Sequence, residues 1–250
     1  MERRLVTERG SVKGEERLFT NQDLRKLILP LMAELGLNLV VGMMDTMMVS
    51  GVGEAAVSGV SLVDSVMQLL IYIFAAMASG GAVVAGQYLG GRREREAKQA
   101  AGDLVWFNLL LGFFIMAAVF AGSRLILTLL FGAISGEVSF HARRYLLMVA
   151  LSIPAIALYE ACAAVFRTMN NAKITMEAAV IMNLINGFGD ALFIYGFQMG
   201  TRGAALATVL SRWTAALILL ILLLNEKLPL ALERRFSHRF DCDIPRVCHL

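Results

Sequence analysis

Of the chain's 250 residues, 58% are hydrophobic and only 17% are charged, and the mean hydropathy is +0.66. Soluble domains run near half apolar and about a quarter charged, so the excess points to lipid. The net charge of +3 comes with no basic stretch interleaved with aromatics, which excludes a nucleic-acid platform.

A bilayer core of about 30 Å needs roughly 20 mostly apolar residues per helix. Six such windows predict an all-α integral membrane protein of six transmembrane helices. Residues 1–26 form a charged tail without the apolar core and cleavage site of a signal peptide, so the first helix is expected to direct insertion. The windows then run over 27–50, 57–89, 99–120, 145–167, 174–199 and 203–224. Glycine, serine, asparagine or charge marks the breaks at 51–54, 90–96, 132–141, 169–173 and 200–202. Residues 226–250 follow as a second polar tail.

Lysine and arginine orient the bundle. Seven lie in residues 1–26, four in 92–98, two at Arg167 and Lys173, and five after Glu226. All eighteen fall on one side, which the positive-inside rule makes cytoplasmic, so both termini are expected inside a plasma membrane and Glu54 and Gly200 outside. The three cysteines form no disulfide framework: Cys162 reads as a small buried hydrophobe. The tail run His238, Asp241, Cys242, Cys248 and His249 lacks paired metal-ligand spacing.

An ionisable side chain at the centre of a membrane helix costs about 2.5–3.5 kcal/mol on insertion scales, so each one should face protein or water. The first window holds Glu34 and Asp45, the fourth Glu160, and the fifth Asn183, Asn186 and Asp190; Asp64, Asp103 and Glu177 sit nearer window ends. At 100° per residue, Glu34 and Asp45 share one face of the first helix. Asn183, Asn186 and Asp190 also share a face, expected to point inward. Antiparallel threading then puts Asp45, Asp190, Asn186, Tyr145 and Thr208 at similar depth in the outer half.

Two carboxylates, an amide, a phenol and a hydroxyl have the chemistry to exchange a proton or a sodium ion. The alternative is that these groups only hydrogen-bond between helices. Pro30 and Pro154, with Gly187, Gly189 and Gly196 around Asp190, let three helices bend. Met43, Met44, Met47 and Met48 are candidates to line an adaptable pocket, although packing or lipid contact explains each one separately.

Three motifs carry a family resemblance: Pro30 with Asp45-Thr46-Met47-Met48 and Gly51-Val52-Gly53; Gly86-Gln87-Tyr88-Leu89-Gly90; and Asn183 to Asp190, followed by Ile194-Tyr195-Gly196 and Gly203 to Thr208. In order and spacing the chain resembles the amino-terminal half of the multidrug and toxic compound extrusion (MATE) efflux transporters. Residues 167–171 are similar to the family's turn after the fourth helix, with Asn170 where glycine is usual. The resemblance implies a twelve-helix transporter of two lobes, of which residues 27–225 are one, with residues 226–250 as the interlobe linker. It implies a cation or proton coupling site at Asp45, Asn186, Asp190, Thr208 and Tyr145, with a sodium ion held by Asp45, Asn186, Asp190 and Thr208 as one form. Glu34, Glu160 and Asn183 are weaker candidates for the substrate cavity.

The expected activity is antiport of amphipathic, often cationic organic compounds against sodium ions or protons, without a cofactor. Its expected partners are the bilayer, those compounds, and a second lobe or a second copy of the chain. A lipid-linked precursor flippase would favour a more basic cavity, and a non-transporting truncated membrane fragment is the reading from another class. No His-centred triad, metal-ligand pair or phosphate loop suggests an enzyme.

Overall fold

An apolar window that closes its backbone hydrogen bonds within itself can cross a bilayer, and the chain does so six times. A computed structural model describes residues 21–132, 135–225 and 228–230. The first three spans are single helices: α1 (Asn21–Ser50), α2 (Glu54–Gly90) and α3 (Glu94–Phe131). The fourth is split into α4 (Gly136–Val149), a 3-10 turn (Ala150–Ser152) and α5 (Ile153–Thr168). The fifth is α6 (Ala172–Asp190) with a π turn (Ala191–Gly196), and the sixth is α7 (Thr201–Leu223). The tail 1–20 and the residues 231–250, including His238, Asp241, Cys242, Cys248 and His249, lie outside the described residues.

Helices extend beyond the apolar windows wherever polar ends can be satisfied. The third starts at Glu94 rather than 99, because Glu94 and Glu96 in its first turn suit the positive end of the helix dipole. It then runs to Phe131, beyond the expected end at 120. The stretch 132–141, expected to be a break, is helical from Gly136, where the Ser135 hydroxyl accepts from the Val138 amide at 3.4 Å as an N-cap. Pro154 sits in the first turn of α5, just after the 3-10 turn, where its missing N–H costs nothing. Asn170 adopts φ 57°, a left-handed conformation that asparagine tolerates better than most residues, which accounts for it standing in place of glycine.

The fourth span is the axis of the bundle. Of its most apolar stretch 78% is buried, against 6% for α1, which lies at the edge. The central α5 packs on α2, α3 and α7, while α1 packs chiefly on α6. Small residues permit these approaches. A Cβ on Gly112 would stand 2.9 Å from both Pro154 Cα and Ala157 Cβ, and one on Gly59 would stand 2.8 Å from the Ala142 nitrogen. Gly112→Val is therefore expected to destabilise the lobe by about 1–3 kcal/mol through overpacking. The check is the thermal unfolding midpoint in detergent, and an unchanged midpoint would show slack between α3 and α5.

Candidate functional site

Because successive spans alternate in direction, the bundle has a near end, where α1 begins, and a far end, where α1 meets α2. Asp45 lies one turn or so before the far end of α1, Asp190 closes α6, and Asp64 lies in the third turn of α2. Tyr145 comes from α4 and Thr208 from the second turn of α7. At about 1.5 Å per residue these positions fall within one layer of the far half.

In that layer the Asp45 and Asp190 carboxyls meet within hydrogen-bonding range. Asp190 is buried, at 1% exposure, and Asp45 is half-buried. Beyond their mutual contact, Asp45 Oδ1 and both Asp190 oxygens have no donor among the described residues, and neither does the buried Asn186 Nδ2 have an acceptor there. Two ionised carboxylates cannot hydrogen-bond to each other, since neither carries a donor. Their contact calls for a shared proton or a cation.

The Tyr145 hydroxyl donates to Asp64 Oδ1 at 3.3 Å and also meets the Thr208 hydroxyl, which itself donates to the Ala204 carbonyl at 2.9 Å. One turn beyond Thr208, Arg212 donates from Nη1 to the Ser152 hydroxyl at 2.9 Å. All five residues implied for the coupling site thus lie in this layer, Asn186 one turn before Asp190 on the same face of α6.

The weaker cavity candidates lie elsewhere. Glu34, Glu160 and Asn183 are buried within the lobe, nearer the other end. Tyr159 donates to Glu34 Oε1 at 3.0 Å and Thr175 to Glu34 Oε2 at 3.4 Å. Glu160 pairs with Arg167 at 3.8 Å, and Asn183 Nδ2 donates to Asn38 Oδ1 at 2.9 Å. This second cluster fastens the near half of α1 onto α5 and α6.

Sequence reasoning missed Asp64 and Arg212 as members of the far cluster. The signal was present. An arginine inside an apolar window demands a partner, and Arg212 lies four residues after Thr208 on the same helical face. Among the glycines, Gly189 serves packing, since its Cβ would meet Ala207 Cβ at 2.8 Å, whereas Gly187 borders open space. The π turn directly after Asp190 marks the local irregularity expected in the fifth helix.

Comparison with known proteins agrees with this architecture. The MatE family model matches residues 30–192. The chain is 27% identical over 208 residues to the uncharacterized transporter YisQ of Bacillus subtilis, covering 82% of this chain and 45% of that one. It is 28% identical over 202 residues to the probable multidrug resistance protein NorM of Thermotoga maritima, covering 79% and 43%. A crystal structure of MATE in the bent conformation superposes with a TM-score of 0.79 at 23% identity, over 87% of this chain and 48% of that one. The chain therefore spans about half the length of the relatives it matches. With the family model covering most of its six spans and the same helical lobe recurring in solved structures, this chain belongs to the MatE family.

Proposed function

We propose that this lobe is half of a secondary antiporter that expels amphipathic, often cationic organic compounds from the cell in exchange for protons or sodium ions. The observation that carries the reading is the contact between Asp45 and Asp190, whose buried oxygens lack other donors among the described residues. A site that must take up a proton or cation to be satisfied, and must release it for the next cycle, has the chemistry of ion coupling.

Its position suits the task. Asp45 belongs to α1, the least buried helix, and Asp190 belongs to α6, the helix on which α1 chiefly packs. Occupancy at this contact therefore bears on how α1 sits, and Pro30 gives α1 a place to bend. The distribution of lysine and arginine supports cytoplasmic termini in a plasma membrane, with the acidic layer in its outer half. Multidrug names among the relatives support the substrate class. The second wall of the cavity would come from a second lobe or a second copy of the chain.

The test is dye extrusion from vesicles that hold the lobe together with its complementary lobe, with proton and sodium gradients imposed separately. Extrusion driven by at least one gradient is expected. Flux equal to that of empty vesicles under both gradients would refute antiport.

A further inference from the structure

Most of the chain's lysines and arginines collect at the near end, but Arg124, Arg143 and Arg144 sit on adjoining turns of α3 and α4 toward the far end. Arg124 lies seven residues before the end of α3 and Arg143 seven after the start of α4, so antiparallel threading puts them at one level. A contact agrees with this. Arg143 Nε donates to the Ser123 hydroxyl at 3.4 Å, and Ser123, at 2% exposure, is the chain neighbour of Arg124. The Arg143 guanidinium thus lies against the turn of α3 that carries Arg124. Neither arginine takes part in an ion pair among the described residues. Arg144 is turned onto the Phe140 ring, with its guanidinium carbon 4.3 Å from the centroid.

The face below the two arginines suits lipid. At about 100° per residue, Arg124 shares one side of α3 with Trp106, Leu110, Phe113, Ala117 and Phe120. All six are exposed, and none of the five below the arginine is charged. The exposed side of α2 differs, since it carries Ser61, Asp64, Ser65 and Gln68 and so calls for water or protein. From Trp106 to Arg124 the helix rises about 27 Å, close to the ~30 Å thickness of a bilayer core. Tryptophan then marks one interface, and arginine reaches the headgroups at the other.

We propose that Arg124 and Arg143 form a clamp for the phosphate of an anionic phospholipid in the leaflet at the far end. A guanidinium pairs two N–H groups with two phosphate oxygens, which a single ammonium cannot do. Arg143 is braced by Ser123 in the crevice between α3 and α4, while Arg124 stands at the lipid-facing rim. The acyl chains lie along Phe120, Ala117 and Phe113, so a lipid gains apolar contact that a free phosphate would lack. The clamp is independent of the coupling ion and of the transport reading.

The test is lipid binding by the 250-residue chain in neutral detergent, with native mass spectrometry following the first bound lipid as phosphatidylglycerol or phosphatidylcholine is titrated. Wild type should bind phosphatidylglycerol at least about tenfold more tightly than phosphatidylcholine. R124Q and R143Q should each weaken phosphatidylglycerol binding about fivefold, the factor expected for one basic residue near anionic lipid. R202Q, which removes an exposed arginine at the far end of α7, should change nothing. The Arg124 side chain makes no ion pair within the described residues, so R124Q decides the matter even if R143Q unfolds on losing Ser123. Equal affinity of the wild type for both lipids, an undiminished preference in folded R124Q, or a loss in R202Q as large as in R124Q would overturn the proposal. Displacement of the lipid by an equal concentration of glycerol phosphate would assign the arginines to a soluble phosphate. Variants that change the number of copies per particle but not lipid binding would assign the face to a second copy of the chain, and either result would overturn it too.

Discussion

Placed alone in vesicles, these 250 residues are expected to insert as a six-helix lobe and to show no gradient-driven dye transport as monomers. Insertion follows from backbone chemistry, because each of the six spans satisfies its own hydrogen bonds and the apolar stretches are long enough to cross. Transport fails for a geometric reason. The acidic layer draws Asp45 from α1, the least buried of the six spans, which exposes Leu35, Leu39, Met43 and Met47 along its length. A cavity needs a facing wall, and alternating access needs two bodies that rock against each other. The chain spans only about half of its relatives' length, which is the share one lobe would take. Adding the complementary lobe should raise flux from the level of empty vesicles to a gradient-dependent rate. Counting copies per nanodisc distinguishes a monomer from a parallel pair that rebuilds a two-walled cavity. Coupled transport by single copies would overturn the half-transporter reading.

Much of this architecture was legible because lipid simplifies the code. A run of some 20 apolar residues has one solution in a bilayer, so all six spans could be read from hydropathy. Helix ends were less legible, since they depend on polar details that average out of a hydropathy window. Ser135 caps α4 inside a stretch that read as loop, and Glu94 and Glu96 start α3 early. Depth and helical phase were enough to collect Asp45, Tyr145, Asn186, Asp190 and Thr208. They could not supply Asp64 and Arg212, whose roles depend on which helices are neighbours. Residue spacing places groups around one helix, whereas the approach of α2 and α7 to α4 is set by small-residue packing such as Gly59 against Ala142. The same limit applies to Glu34: its face was predicted, but not that Tyr159 and Thr175 would meet it there.

Asp190→Asn is expected to abolish ion-coupled efflux while leaving the fold intact. Asparagine matches aspartate in shape, and apart from its contact with Asp45 the Asp190 carboxyl has no hydrogen-bond partner among the described residues that the substitution would lose. Insertion and thermal stability should therefore change little. Asparagine cannot gain or lose a proton, and it binds a small cation far more weakly than a carboxylate does. The paired Asp45 then has no acid to share a proton with, so the switch loses both its members at once. A defect confined to apparent substrate affinity, with the maximal rate unchanged, would place Asp190 in drug binding instead.

That the two carboxyls act as one unit is the central claim, and a double-substitution cycle in the transport-competent two-lobe form tests it most directly. Groups that work together are strongly non-additive, because removing either one already removes the whole effect. Gradient-driven efflux should be measured for Asp45→Asn, Asp190→Asn and the double variant, each at matched levels of inserted protein. The account predicts that either single substitution abolishes coupling and that the double variant is no worse than either one. Substantial efflux in one single variant, or losses that multiply in the double, would contradict it.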